Sequence, residues 1–324
     1  MNLGLSRIAT VKASRLPKSL RRHFDIKRSP VALDLLTAFE VIGYTVLLES
    51  DINIGRHKAQ GCLDAEVVLG DGAERSALKG DWARGHWHLC NRLYNALKQI
   101  NPKVPTVAIE TAISGVIFSQ SSNLFENNRL FHQHLTQGVD VAYQENHQTV
   151  HEKVWLIDAS NLLNNDWLVI HPLTLIEGSS THCLDVVVFI NGLPLAVIIC
   201  TDPQDKNATL KKAYQQLEFY KQQIPTLFSY NAFLIIANRN QARVGTLTSE
   251  WEEFLPWRTI DNEDFPHEGE TELEVLIQGI FDKRRFLELI NHFMVFENNG
   301  VSISKQLLCR PFCTTPYPKT SCHS

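Results

Sequence analysis

LDVVVFI (184–190), NG (191–192) and LPLAVIIC (193–200) decide how this chain folds. Asn-Gly between two apolar runs supplies the two positive-φ positions that a tight hairpin turn needs, so the runs read as adjacent antiparallel strands. Both are continuously apolar rather than alternating, which places them centrally in a sheet covered on both faces. Carboxyl-terminal to them, Asp205 to Gln223 reads as a helix carrying Leu210, Tyr214, Leu217 and Tyr220, and AFLIIA (232–237) as a final buried strand. On the amino-terminal side, WLVIHPLTLIEG (167–178) is a long apolar stretch interrupted by Pro172, which marks a bulge or an edge. VDVAYQE (139–145) alternates like a half-buried strand, with KVWLIDA (153–159) as its expected neighbour. The order predicts an α/β core: a central mixed β-sheet flanked by helices.

Upstream the pattern is mainly helical. Ser29 caps and Pro30 opens a helix with Val31, Leu35, Ala38, Phe39 and Ile42 at helical spacing, and Gly43 ends it. A short strand (44–48), a mixed polar stretch to about residue 84, and helices at 85–100, 106–118 and 123–136 follow. From about Glu272 the chain turns helical again through HFMVF, and beyond about Ser304 periodicity disappears. The expected division is a frayed basic terminus (1–28), a helical amino-terminal region (29–120), the α/β core (121–265), a helical connection (266–300) and an aberrant tail (301–324).

Composition narrows the class without naming it. A hydrophobic fraction of 44% and a net charge of −4 describe an ordinary soluble globular protein. No run of about 18 uncharged apolar residues points to a membrane span, and the basic start lacks a signal peptide's apolar core. Seven cysteines lack disulfide-framework density for 324 residues, so a reducing, cytoplasmic location is expected. His86, His88 and Cys90 alternate within an expected helix, where residues two apart diverge, so a structural role is read for them. Cys309, Cys313 and Cys322-His323 sit among prolines with no flanking fold and read as part of the tail rather than a zinc site.

The hairpin DVVVFINGLPLAVII and the downstream AYQQLEFYKQQIPTLFSYNAFLII resemble the PD-(D/E)xK nuclease domain of type I restriction enzyme R subunits. NNRLFHQHLTQGVDVAYQ, LIDASNLLNNDWLVI, ARVGTLT, PWRTID and LEVLIQGIFDKRRFLELINHFMVFE extend the resemblance, in order, over about residues 30–300. It implies a restriction-endonuclease-like core with a helical amino-terminal extension. It also implies Mg²⁺-dependent cleavage of double-stranded DNA, with methylation and specificity subunits as partners. In such a site two carboxylates hold Mg²⁺ and a lysine orients the attacking water.

Carried over residue by residue, the first metal-binding Asp falls on Asp185, and the family's Gln-x-x-x-Tyr falls on Gln216 and Tyr220. The Glu-x-Lys falls on Ile199 and Thr201, and the early helical Glu on Ala32. From the residues alone Asp185 reads as a strand-start residue binding local backbone; the resemblance makes it an inherited metal-binding position. Glu177, Asp202, Lys211 and Lys212 are the candidate substitutes for the lost pair. Lys206, Lys211, Lys212, Lys221, Arg239 and Arg243 are candidate DNA-phosphate contacts. ATP is implied for the intact family, but no G-x-x-x-x-G-K-[ST] occurs, and the change in character after Ser304 reads as a frameshift or deletion scar. Two functions follow as alternatives: a Mg²⁺-dependent endonuclease module, or an inactive relic keeping the fold and at most weak DNA or partner binding.

Overall fold

The computed structural model describes residues 30–49, 87–117, 121–145, 147–177, 180–201, 209–238, 241–260, 271–298 and 302–308. In chain order these form α1 (Pro30–Val41), β1 (Thr45–Leu48), α2 (Trp87–Ile100), α3 (Thr106–Ile117), α4 (Leu124–Gln137), β2 (Val139–Glu145) and β3 (Gln148–Val154). Then come β4 (Trp167–His171), β5 (Leu173–Glu177), β6 (Ser180–Leu184), β7 (Val186–Ile190), β8 (Leu193–Cys200), α5 (Leu210–Gln223) and α6 (Pro225–Phe228). The chain continues through β9 (Phe233–Ala237), β10 (Ala242–Gly245), α7 (Glu272–Ile280), α8 (Lys283–His292), β11 (Met294–Asn298) and β12 (Ile303–Leu307).

The central sheet has six strands in the order β1-β4-β7-β8-β9-β10. β1–β4 and β8–β9 pair parallel, whereas β4–β7, β7–β8 and β9–β10 pair antiparallel, so the sheet is mixed as the sequence predicts. Asn191 (φ 54) and Gly192 (φ 79) make the tight turn between β7 and β8. The continuously apolar strands are explained by two cores. Val186, Val188, Ile190, Ala196 and Ile198 pack on the face covered by α1 and α7, and Val187, Phe189, Val197 and Ile199 face α5. Successive side chains alternate between those two layers, and both layers are apolar.

Several elements differ from the sequence reading. The partner of β2 is Gln148–Val154, not 153–159: the turn near His147 (φ 62) starts the return strand early, and Val139 already pairs with Val154. The stretch 167–178 is two strands in different sheets, because Pro172 separates β4 in the central sheet from β5 in a hairpin with β6. The helix expected from Asp205 begins at Leu210, where the Thr209 hydroxyl accepts the Lys212 amide. AFLIIA is not the last buried strand, since β10 follows it at the sheet edge. The helical run expected through HFMVF ends at His292, and Met294–Asn298 pairs with Ile303–Leu307 instead. The first residues of the expected tail therefore belong to a hairpin, with Lys305 buried in the fold.

Candidate functional site

Antiparallel pairing of Val186 with Ile198 brings Asp185, one residue before β7, opposite Ile199 on β8. Ile199 in turn pairs with Ile236 on β9, and Ile236 with Arg243 on β10. These four positions form one row across the sheet. At about 4.8 Å per strand, Arg243 lies roughly 14 Å from Asp185.

The Asp185 carboxylate is held at the strand start by the Cys200 amide, which donates to Oδ2 at 2.8 Å. Its own carbonyl accepts from His171 Nδ1, fixing the Pro172 corner beside it. Burial pushes the Asp185 carboxyl up to about 6, and the Cys200 amide offsets only part of that effect. The same burial, with the Asp185 charge adding to it, raises the Cys200 thiol well above its ordinary range, so it stays protonated.

α5 supplies the second wall. Gln216 Nε2 donates to Tyr220 Oη at 2.7 Å, and Tyr220 Oη donates to the Cys183 carbonyl at 3.1 Å. The i, i+4 pair predicted on one helix face thus fastens α5 to β6 next to Asp185. Burial first, and then the charge of Asp185, raise the Tyr220 hydroxyl above its ordinary value. Asp185, Tyr220 and Gln216 are brought together as the sequence suggested.

The two positions where the resemblance expects Glu and Lys hold different chemistry. Ile199 is fully buried in the apolar cluster with Leu210, Ala213, Leu217 and Tyr220. Thr201 is buried, and both its amide (2.9 Å) and its hydroxyl (3.4 Å) donate to the Ala237 carbonyl. Hard cations need several oxygen ligands and a hydrated opening. Among the described residues, the half-buried Asp185 carboxylate facing Ile199 does not make a Mg²⁺ site. Among the described residues no three His, Cys, Asp or Glu side chains gather in a metal-holding group.

Of the candidate substitutes, Glu177, Lys211 and Lys212 lie among the described residues. Glu177 lies four residues along β5 from Leu173, the pairing partner of Leu184, which puts it roughly 13 Å by strand rise from the level of Leu184, the residue before Asp185. Its carboxylate accepts from the Thr226 hydroxyl (2.6 Å) and amide (3.3 Å) at the start of α6. Lys211 and Lys212 are exposed in the first turn of α5. Lys221, grouped above with the DNA-facing lysines, turns inward: Nζ bonds Glu218 and the Leu247 carbonyl (2.7 Å). Its helix position, between Leu217 and Ile224, faces the sheet. Arg243 lays its guanidinium over the Trp251 ring, 5.3 Å from the centroid. Asp202, Lys206, Arg239, the basic terminus, the His86–Cys90 side chains and the cysteines from Cys309 onward lie outside the described residues.

Sequence reasoning missed a buried polar node on the other side of the fold. Lys305 Nζ donates to Asn128 Oδ1 (3.1 Å) and the Asn231 carbonyl (2.7 Å), while Asn128 donates to the carbonyls of Phe228, Ser229 and Asn231. Burial pulls the Lys305 ammonium down to about 7, and burial together with Lys305 takes His132 down to about 3. No periodicity or motif marks a lone lysine that enters a core.

A mixed sheet with helices on both faces, entered by an Asp at the foot of the central hairpin, defines a restriction-endonuclease-like α/β protein. Comparison with known proteins makes the assignment specific: residues 71–253 match the family described as type I restriction enzyme R protein N terminus, and the chain belongs to that family. It is similar to the type I restriction enzyme HindI endonuclease subunit of Haemophilus influenzae, with 31% identity over 69% of this chain and 22% of that protein. A Methanocaldococcus jannaschii protein named "Putative type I restriction enzyme MjaIXP endonuclease subunit" shows 25% identity over 66% of this chain and 22% of its own length. The chain therefore spans about a fifth of the curated relatives it matches. No described helix is long and apolar enough to cross a membrane.

Proposed function

We propose that this chain is an R-subunit nuclease domain of a type I restriction–modification complex in which cleavage has been silenced. Double-stranded DNA, and the methylation and specificity subunits of such a complex, are its partners in this reading. Mg²⁺-dependent hydrolysis is the ancestral reaction, and the residues now present do not support it. The observation that carries the proposal is Ile199, fully buried directly across from Asp185. An isoleucine there offers no metal ligand, and Thr201 offers no cation to stabilise developing phosphorane charge. Losing the second carboxylate and the lysine together costs several orders of magnitude in rate, at about a hundredfold or more per group.

The test is plasmid nicking in Mg²⁺ and Mn²⁺ by the natural chain and by its Ile199→Glu, Thr201→Lys double variant. Nicking by the variant alone, abolished by adding Asp185→Ala, supports a silenced site in an intact cleft. Nicking by the natural chain that Asp185→Ala stops would sink the proposal and show that other groups have replaced the lost pair.

A further inference from the structure

The outward face of α5 combines features that its role in packing does not explain. Lys211, Lys212, Gln215, Gln216, Phe219 and Gln222 are all exposed on it. The first turn of the helix holds two lysines and no acid. A helix dipole favours the opposite arrangement, so Lys211 and Lys212 place their charges at the end of α5 where the dipole is already positive. Two turns further on, about 11 Å along the axis, Phe219 is 49% exposed. The His182 ring meets it edge-on at 5.5 Å, and Tyr220 meets it at 6.2 Å. Among the described residues His182 Nε2 is shut away from solvent without a hydrogen-bond partner, and its ring backs Phe219. The one acid on the helix, Glu218, is engaged by Lys221 to the side of this stripe.

We infer that the α5 stripe binds a DNA strand carrying unpaired bases, with Lys211 and Lys212 taking phosphates and Phe219 stacking on a base. The inference rests on the DNA-binding part of the proposed function and sharpens its ligand. In an intact duplex the bases are stacked on one another, and a ring on a helix face meets sugar and phosphate. An exposed aromatic next to lysines and glutamines is instead the pattern of a stacking platform in a basic groove. The platform adjoins Tyr220 and hence the Asp185 corner, so a frayed strand bound there would pass the ancestral cleft.

The experiment is fluorescence anisotropy in EDTA with three labelled DNAs: a single strand, the blunt duplex of the same sequence, and that duplex with a single-stranded extension. EDTA keeps the DNA uncut, so failure of this inference is distinguishable from failure of the silenced-nuclease reading. The extended duplex binds about tenfold more tightly than the blunt one, in the range that one stacked base supplies. Phe219→Ala removes that preference without weakening blunt-duplex binding, Phe219→Trp restores it, and Lys211→Gln with Lys212→Gln weakens all three DNAs. Equal affinity for blunt and extended duplex, absence of binding to any of the three, or indifference to Phe219→Ala in a chain whose melting is unchanged would overturn the inference.

Discussion

The amide of Cys200 donates to the carboxylate of Asp185 at 2.8 Å, pinning the last residue of β8 to the residue that opens β7. Asp185 is half-buried, and among the described residues its carboxylate is given a backbone donor and no ion pair, a poor arrangement for stability.

Asp185→Asn should therefore stabilise the fold. Burial lifts the folded pKa from 3.8 to about 6, so the folded state binds the proton more tightly than the unfolded one. The penalty grows as pH rises through that window and is complete above it. Urea titrations should show the Asn variant ahead by about 2 kcal/mol at pH 8 and no longer ahead at pH 4. An Asn variant that is less stable at pH 8 would mean that the carboxylate has a partner that supports its charge.

Lys305 gives a pH dependence of opposite sign. Its folded pKa falls from 10.5 to about 7, so between those values the unfolded chain holds a proton that the folded chain has shed. Stability should rise with pH across that window by an amount on the order of a few kcal/mol, and remain flat in this contribution below it. Tyrosines and cysteines also titrate there, so the informative quantity is the difference from Lys305→Met. That variant should lose the rise. Identical pH slopes in both proteins would contradict a buried ammonium whose charge burial disfavours.

Asn191 tests whether the hairpin turn is only a turn. Glycine accepts its φ of 54 with less strain than asparagine does. The side chain, however, accepts the Asp166 amide (2.7 Å) and donates to the Leu156 carbonyl (2.8 Å) and Asn165 Oδ1 (3.0 Å), the last two out of water. Asn191→Gly should cost roughly 2–4 kcal/mol despite the better backbone, as buried groups lose their partners. Denaturant midpoints read this directly, and a neutral result would reduce Asn191 to its turn role.

Ile199→Glu should unfold the chain more readily in EDTA, since it buries a carboxyl beside Asp185, and like charges there cannot both ionise without help. Mg²⁺ or Mn²⁺ should then raise the melting temperature of the variant but not of the natural chain. A variant indifferent to metal would show that the cleft no longer has the shape for an ion.

Much of the fold and some of the site were legible from local chemistry. Uninterrupted apolar runs around Asn191-Gly192 specify central strands and a tight turn, because those requirements are met within a few residues. The four-residue spacing of Gln216 and Tyr220 likewise specifies one helix face. That Ile199 and Thr201 stand where the family's Glu-x-Lys is expected is plain in the sequence once its resemblance is seen. What the sequence could not specify depends on the other side of each contact. Whether Lys221 meets water or Glu218 and the Leu247 carbonyl is set by how α5 lies on the sheet. Pro172 announces an interruption, but only the packing of two sheets decides that the chain leaves one for the other there. Lys305 shows the limit most clearly: by composition it opens a polar tail, yet strand pairing with β11 carries it among Asn128 and Asn231. Local residues determine which elements can form, whereas the neighbours that desolvate a charge or supply its hydrogen bonds exist only after those elements have packed.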